Sequence, residues 1–173
     1  MISTPEMKYY CLSYYRYQRQ YPIAATEVGV FGSYIADVLV SDFKEFVEVE
    51  IKISEQDMMA DFSHKSEKHT AYLDTTLNKV AVLGAKDREY MPNKFLYAVP
   101  INMRSFALSL VKGTPYGLIV VDPNDPKLSN NSYIKVVKHS GIINHQYPKK
   151  LEIPAIARMS SEIINLYESQ LDL

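Results

Sequence analysis

Cysteine is nearly absent from this chain. Cys11 stands alone, so neither an internal disulfide nor a cysteine-built zinc site can form, a usage that fits a reducing compartment. Cys11 itself lies among tyrosines in a helical stretch and reads as core rather than as a nucleophile. Long apolar runs are missing too: none approaches the roughly 20 residues of a membrane span. Met1-Ile2-Ser3-Thr4-Pro5 opens no signal sequence. The expectation is a cytoplasmic protein, of bacterial cell or phage-infected host, with no membrane partner. There is no internal repeat and no low-complexity tract.

Net charge is the other shortage, only −1 at pH 7, which by itself speaks against a polyanionic partner. Its distribution says otherwise. Residues 23–62 hold nine acids against Lys44 and Lys52, so that everything outside the segment carries a balance of +6. An acidic centre in basic surroundings suits a cation site that must also attract a polyanion, although surface charges also cluster by accident. At 173 residues and 47% hydrophobic, the chain is expected to form a single domain over 1–173 with a real core.

Two stretches dominate what is present. Residues 35–40 (Ile-Ala-Asp-Val-Leu-Val) and 46–53 (Phe-Val-Glu-Val-Glu-Ile-Lys-Ile) both read as strands. In the second, alternation puts Val47, Val49, Ile51 and Ile53 on one face and Glu48, Glu50 and Lys52 on the other. A hairpin through residues 41–45 brings Asp37 level with Glu50. Two carboxylates then converge as a hard cation requires, and Lys52 sits where it can orient an attacking water. The competing reading is a solvated strand face that carries Glu and Lys for solubility.

In chain order, residues 6–20 predict a first helix with Thr4 as N-cap and Pro5 in the first turn. Tyr10, Tyr14 and Tyr17 lie on one core-facing stripe and Tyr9 and Tyr15 face elsewhere; packing on a sheet competes with stacking on unpaired bases. Residues 23–30 read as a strand carrying Glu27, either a third acid of the site or an exposed strand residue, and a turn at 31–33 leads into the Asp37 strand. Ser54 to Asp57 starts a helix running to Leu73. Its basic turn, Lys65 to His69, suits phosphate contacts, and His64 and His69 are five apart, off the spacing of a helical zinc pair.

Residues 74–93 read as an insertion or loop with a short apolar run, Val80 to Leu83. A strand at 94–100, a helix at 101–111 and a strand at 116–122 make a unit whose strands should be parallel. Residues 132–138 form a further strand, and 139–150 are basic and irregular. A last helix, 153–169, draws its packing residues from Ile156, Met159, Ile163, Leu166 and Tyr167. Arg158 either points toward substrate or is an ordinary surface arginine.

This order of elements, with Ala36-Asp37, Val49-Glu50-Ile51-Lys52, Asp61-Phe62, Lys68 with Tyr72, Phe95 to Pro100 and Gly117 to Val120, resembles the PD-(D/E)XK nuclease superfamily over about residues 6–122. It looks closest to the MmcB-type family of DNA repair proteins. The long link at 74–93, and His69 in place of an aromatic after the helical lysine, depart from that pattern. The resemblance implies an α/β, restriction-endonuclease-like fold: a mixed central sheet, antiparallel meander plus parallel strands, flanked by helices. It implies a Mg²⁺- or Mn²⁺-dependent deoxyribonuclease in which Asp37, Glu50 and the Ile51 carbonyl hold metal, Glu27 holds a second ion, and Lys52 positions the water. Lys65, Lys68, His69 and Tyr72 would contact nucleic acid. A non-cutting DNA-binding module of the same fold, an interaction protein whose charged face only forms salt bridges, and a homo-oligomeric assembly all remain compatible with the sequence.

Overall fold

The computed structural model describes residues 2–73, 88–125 and 133–170. The expected link at 74–93, with Val80 to Leu83, therefore falls mostly outside the described residues. The elements are α1 (Thr4–Ser13), a π-helical continuation (Tyr14–Gln18), β1 (Ile23–Gly29), β2 (Ile35–Ser41), β3 (Phe46–Ile51), α2 (Glu55–His64), α3 (Ser66–Leu73), β4 (Lys94–Pro100), α4 (Arg104–Val111, entered through a 3₁₀ turn Ile101–Met103), β5 (Gly117–Val121), β6 (Ile134–Lys138) and α5 (Glu152–Gln170).

The six strands form one sheet in sequential order. β1, β2 and β3 are an antiparallel meander; β3, β4 and β5 run parallel; β6 returns antiparallel. The fold is thus mixed α/β, and the strand–helix–strand unit has the parallel sense that a helical crossover imposes.

The continuously apolar strands β4 and β5 are covered on both faces. On one face Met7, Cys11 and Tyr15 of the first helix pack on Val38, Val40, Val47, Val49, Ile51, Leu96 and Ile119. Each such side chain contributes about 1.5–3 kcal/mol when buried. On the other, Met58 and Tyr72 of α2 and α3 and Ala107 of α4 meet Phe95, Tyr97 and Leu118, while Leu151, just ahead of α5, and Ala155 in its first turn cover Ala25, Leu39 and Phe46.

Three local expectations change. Ser3, not Thr4, caps α1, and it forms a reciprocal box with Glu6. The π segment, with one extra residue per turn, replaces the expected tyrosine stripe: Tyr15 is buried, Tyr10 and Tyr14 are half-buried, and Tyr17 and Tyr9 are exposed. The single helix expected from Asp57 to Leu73 is broken at Lys65, whose ψ of 36° leaves the helical region.

Candidate functional site

The register Val38↔Val49 carries on to set Asp37 opposite Glu50, as the hairpin reading required. The backbone pairs of this ladder end there, and the Asp37 carboxylate fills the gap: its Oδ2 accepts the Ile51 N–H at 2.8 Å. Asp37 is held above the ordinary carboxyl range by burial first and by the Glu50 charge second.

Glu27 lies beside them. It occupies the slot opposite Asp37, between the pairs Thr26↔Val38 and Val28↔Ala36. Its left-handed φ of 53° is an uncommon conformation for a non-glycine residue inside a strand. Lys8 of α1 joins the two acids: its ammonium is ion-paired with Glu27 and lies 3.9 Å from Asp37.

The face carrying Glu48, Glu50 and Lys52 is not solvated. α2 and α3 lie over it, and all three side chains are buried. Ser54 caps α2 by accepting the Asp57 N–H at 3.1 Å, which sets the helix so that Asp61 points down at Lys52. The Lys52 ammonium lies 3.0 Å from both Glu50 and Asp61. Burial of Lys52 favours the neutral amine, but these two acids outweigh it and raise its pKa.

Lys65, at the break between the helices, reaches Glu50 at 2.5 Å and Asp61 at 3.0 Å. Its side chain keeps 27% exposure. Lys68 lies deeper, 2.5 Å from Glu48 and 3.3 Å from Glu50. Both Glu50 oxygens therefore meet ammonium groups. Burial would push Glu50 upward; Lys68, with Lys52 and Lys65, outweighs it and the net shift is down.

Asp61 is depressed further. Burial opposes ionisation there, and the hydrogen bond from His69, the Lys52 charge and the Tyr97 hydroxyl overcome it. His69 Nε2 donates to Asp61 Oδ2 at 3.0 Å, a carboxylate being only an acceptor. The Tyr97 hydroxyl donates to the same oxygen at 2.7 Å. Asp61 Oδ1 meets the two ammoniums without a well-angled hydrogen bond.

The arrangement gathers Asp37, Glu50 and Lys52, with Glu27 next to them, and corrects the expected nucleic-acid contacts. Lys68, His69 and Tyr72 are buried. Lys68 is committed to Glu48 and Glu50, Tyr72 donates to Glu48 at 2.6 Å, and His69 spans Asp61 and Tyr116. None of the three faces a surface phosphate, because the covering helices turn these residues inward. Lys65 alone of that group reaches solvent. Arg158 belongs elsewhere, donating to the Thr26 carbonyl at 3.1 Å.

Sequence reading missed Lys8, whose one signal was its place as the lone cation early in a tyrosine-rich helix. It also left Asp61, Tyr97 and Glu48 without roles, although Asp61 stands four residues before Lys65 and eight before His69.

Among the described residues no three His, Cys, Asp or Glu side chains converge as a metal site. No helix among the described residues is long and apolar enough to cross a membrane.

No protein-family model matches the chain, and no curated protein matches it. Among solved structures it is similar to the SPO1766 protein of unknown function from Silicibacter pomeroyi, with a TM-score of 0.50 and 15% sequence identity over 86% of this chain and 79% of the other. At that identity the likeness concerns the fold alone.

Proposed function

We propose that the protein is a divalent-metal-dependent nuclease of the PD-(D/E)XK type, hydrolysing DNA phosphodiester bonds in repair, recombination or phage DNA processing. The observation that carries this reading is the level placement of Asp37 and Glu50 on adjacent strands, with Lys52 two residues beyond Glu50 and Ile51 N–H fixing the Asp37 carboxylate. Asp37 and Glu50, with the Ile51 carbonyl, are the groups that would hold Mg²⁺ or Mn²⁺; the bound ion supplies charge against the phosphate and a more acidic water.

The chain's own residues do the rest. Lys52 stays protonated between Glu50 and Asp61 and can donate to a water or a phosphate oxygen that gains charge in the transition state. Lys65 is partly exposed and can swing from Glu50 to an incoming phosphate. Lys8 balances Glu27 and Asp37 until a cation takes its place.

One observation favours a non-cutting reading, either the nucleic-acid-binding module of the same fold or a charged face that only forms salt bridges, in which Lys52 is locked to Glu50. Ammonium groups already occupy both Glu50 oxygens, so the charged face is self-neutralised as it stands. Labelled single- and double-stranded DNA incubated with Mg²⁺ or Mn²⁺, with and without chelator, separates the two. The nuclease reading expects chelator-sensitive cleavage, lost by at least about a hundredfold in Asp37→Ala and in Lys52→Ala while the circular dichroism spectrum is retained. Binding without cleavage in every condition selects the module, and undiminished cleavage in both variants removes this site.

A further inference from the structure

The last helix is built like one half of a helix pair. Along one line it is tied to its own sheet: Ala155 is buried, Arg158 donates to the Thr26 carbonyl, and Glu162 accepts from the Thr26 N–H. On another line Ile153, Ile156, Ser160, Ile163, Tyr167 and Gln170 recur at alternating steps of three and four, the spacing of a coiled-coil seam. All six are exposed, Ile153 at 78%, Tyr167 at 62% and Ile163 at 54%. Ile164 and Leu166, also exposed, flank them. From Ile163 to the end of α5 every side chain is in solvent.

We propose that this seam is a homodimer interface, in which α5 of one copy packs antiparallel on α5 of a second about a two-fold axis between Ser161 and Glu162. The sequence is self-complementary in that register. Ile156 meets Tyr167, Ser160 meets Ile163, and Ile153 meets Gln170, each contact occurring twice as an isologous interface requires. Ser160, the small residue of the seam, makes room for the opposing isoleucine. Its hydroxyl already donates to the Ile156 carbonyl at 3.1 Å, so it brings no unsatisfied donor into the contact.

Charge and area agree. The helix's charged residues, Glu152, Arg158, Glu162 and Glu168, all fall off the seam, so no like charges are forced together, and the antiparallel sense also opposes the helix dipoles favourably. At roughly 100 Å² for each half-exposed apolar side chain, the seam and its two flanking residues offer about 600–700 Å² per copy. That exceeds what crystal-packing contacts bury and approaches the ~800 Å² per partner of a stable complex.

The test is the mass of the full chain in solution, by sedimentation equilibrium at concentrations from about 1 to 100 µM. The expected result is twice the 19.8 kDa of one chain, with self-association weakened about a hundredfold or more in Ile163→Glu, which places a charge in the seam. Because Ile163 is exposed in the single copy, that variant should keep its circular dichroism spectrum. Register is read by cross-linking under oxidation: Ile156→Cys mixed with Tyr167→Cys should form a disulfide dimer, and Ile156→Cys alone should not. Cys11 is buried and does not contribute. A wild-type monomer across the range, association unaffected by Ile163→Glu, or efficient cross-linking of Ile156→Cys alone would each overturn the proposal, the last by indicating parallel pairing.

Discussion

Lys68 carries the clearest lesson among single residues. In sequence it is a basic residue in a basic turn, next to His69 and four before Tyr72, and it reads as a phosphate contact. In the structure it has no solvent exposure, and its ammonium lies between Glu48 and Glu50 and within 5.1–5.7 Å of three aromatic ring centres, those of Tyr34, Tyr72 and Phe95. Burial of the amine would lower its pKa; Glu48 and Glu50 outweigh it and the net shift is upward. Removing one partner of a buried pair leaves the other charge uncompensated, so Lys68→Met should cost about 3–5 kcal/mol in urea unfolding. Adding Glu48→Gln should recover part of that loss, a coupling that separate surface residues would not show. The placement of Asp37, by contrast, was legible: a short hairpin sets it level with Glu50, and the observed register carries on to the same pairing.

For the elements, strands were read better than helices. β4 was expected at 94–100 and is found there, because a buried strand is a short apolar run with a proline stop. The first helix failed in phase. One π turn slides all later side chains around the axis, and composition gives no sign of it. The split between α2 and α3 was equally silent, yet it brings Lys65, Lys68 and Asp61 over β3. α5 was expected to draw its packing residues from Ile156, Met159, Ile163, Leu166 and Tyr167, and the subset that packs on the core is Met159, half-buried on the cluster of Leu151 and Ala155. Periodicity identifies an apolar stripe but not which body covers it. Because α2 delivers Asp61 through its Ser54 cap, Ser54→Ala should cost about 1 kcal/mol of stability. In the nuclease reading it should lower turnover as well, which urea unfolding and a cleavage assay on one preparation would measure.

At the scale of the whole molecule, Glu48, Glu50 and Asp61 meet Lys52, Lys65 and Lys68 in one largely buried, charge-balanced network under α2 and α3, and this ties stability to pH. The folded pKa values of Asp61 and Glu50 lie below their unfolded ones. Their contribution is therefore fully present above the ordinary carboxyl value of about 4 and is lost as pH falls through and below it. Acid unfolding should be steep there, and Asp61→Asn, less stable at neutral pH, should show a shallower loss between about pH 5 and 2. An equal slope in both proteins would mean that Asp61 does not carry the linkage.

Side-chain alternation is a local property with a period of two residues, and so the sequence by itself determined that Glu48, Glu50 and Lys52 share a face, that a short hairpin brings Asp37 to Glu50, and that the sheet mixes antiparallel and parallel pairs. What covers that face depends on helices that arrive from elsewhere in the chain. Only the tertiary structure decided that Lys8 bridges Glu27 and Asp37, that Asp61 and Lys65 close over Glu50, and that Lys68, His69 and Tyr72 turn inward. Those positions follow from packing between segments whose distance in sequence, 29 residues from Lys8 to Asp37, leaves no periodic trace.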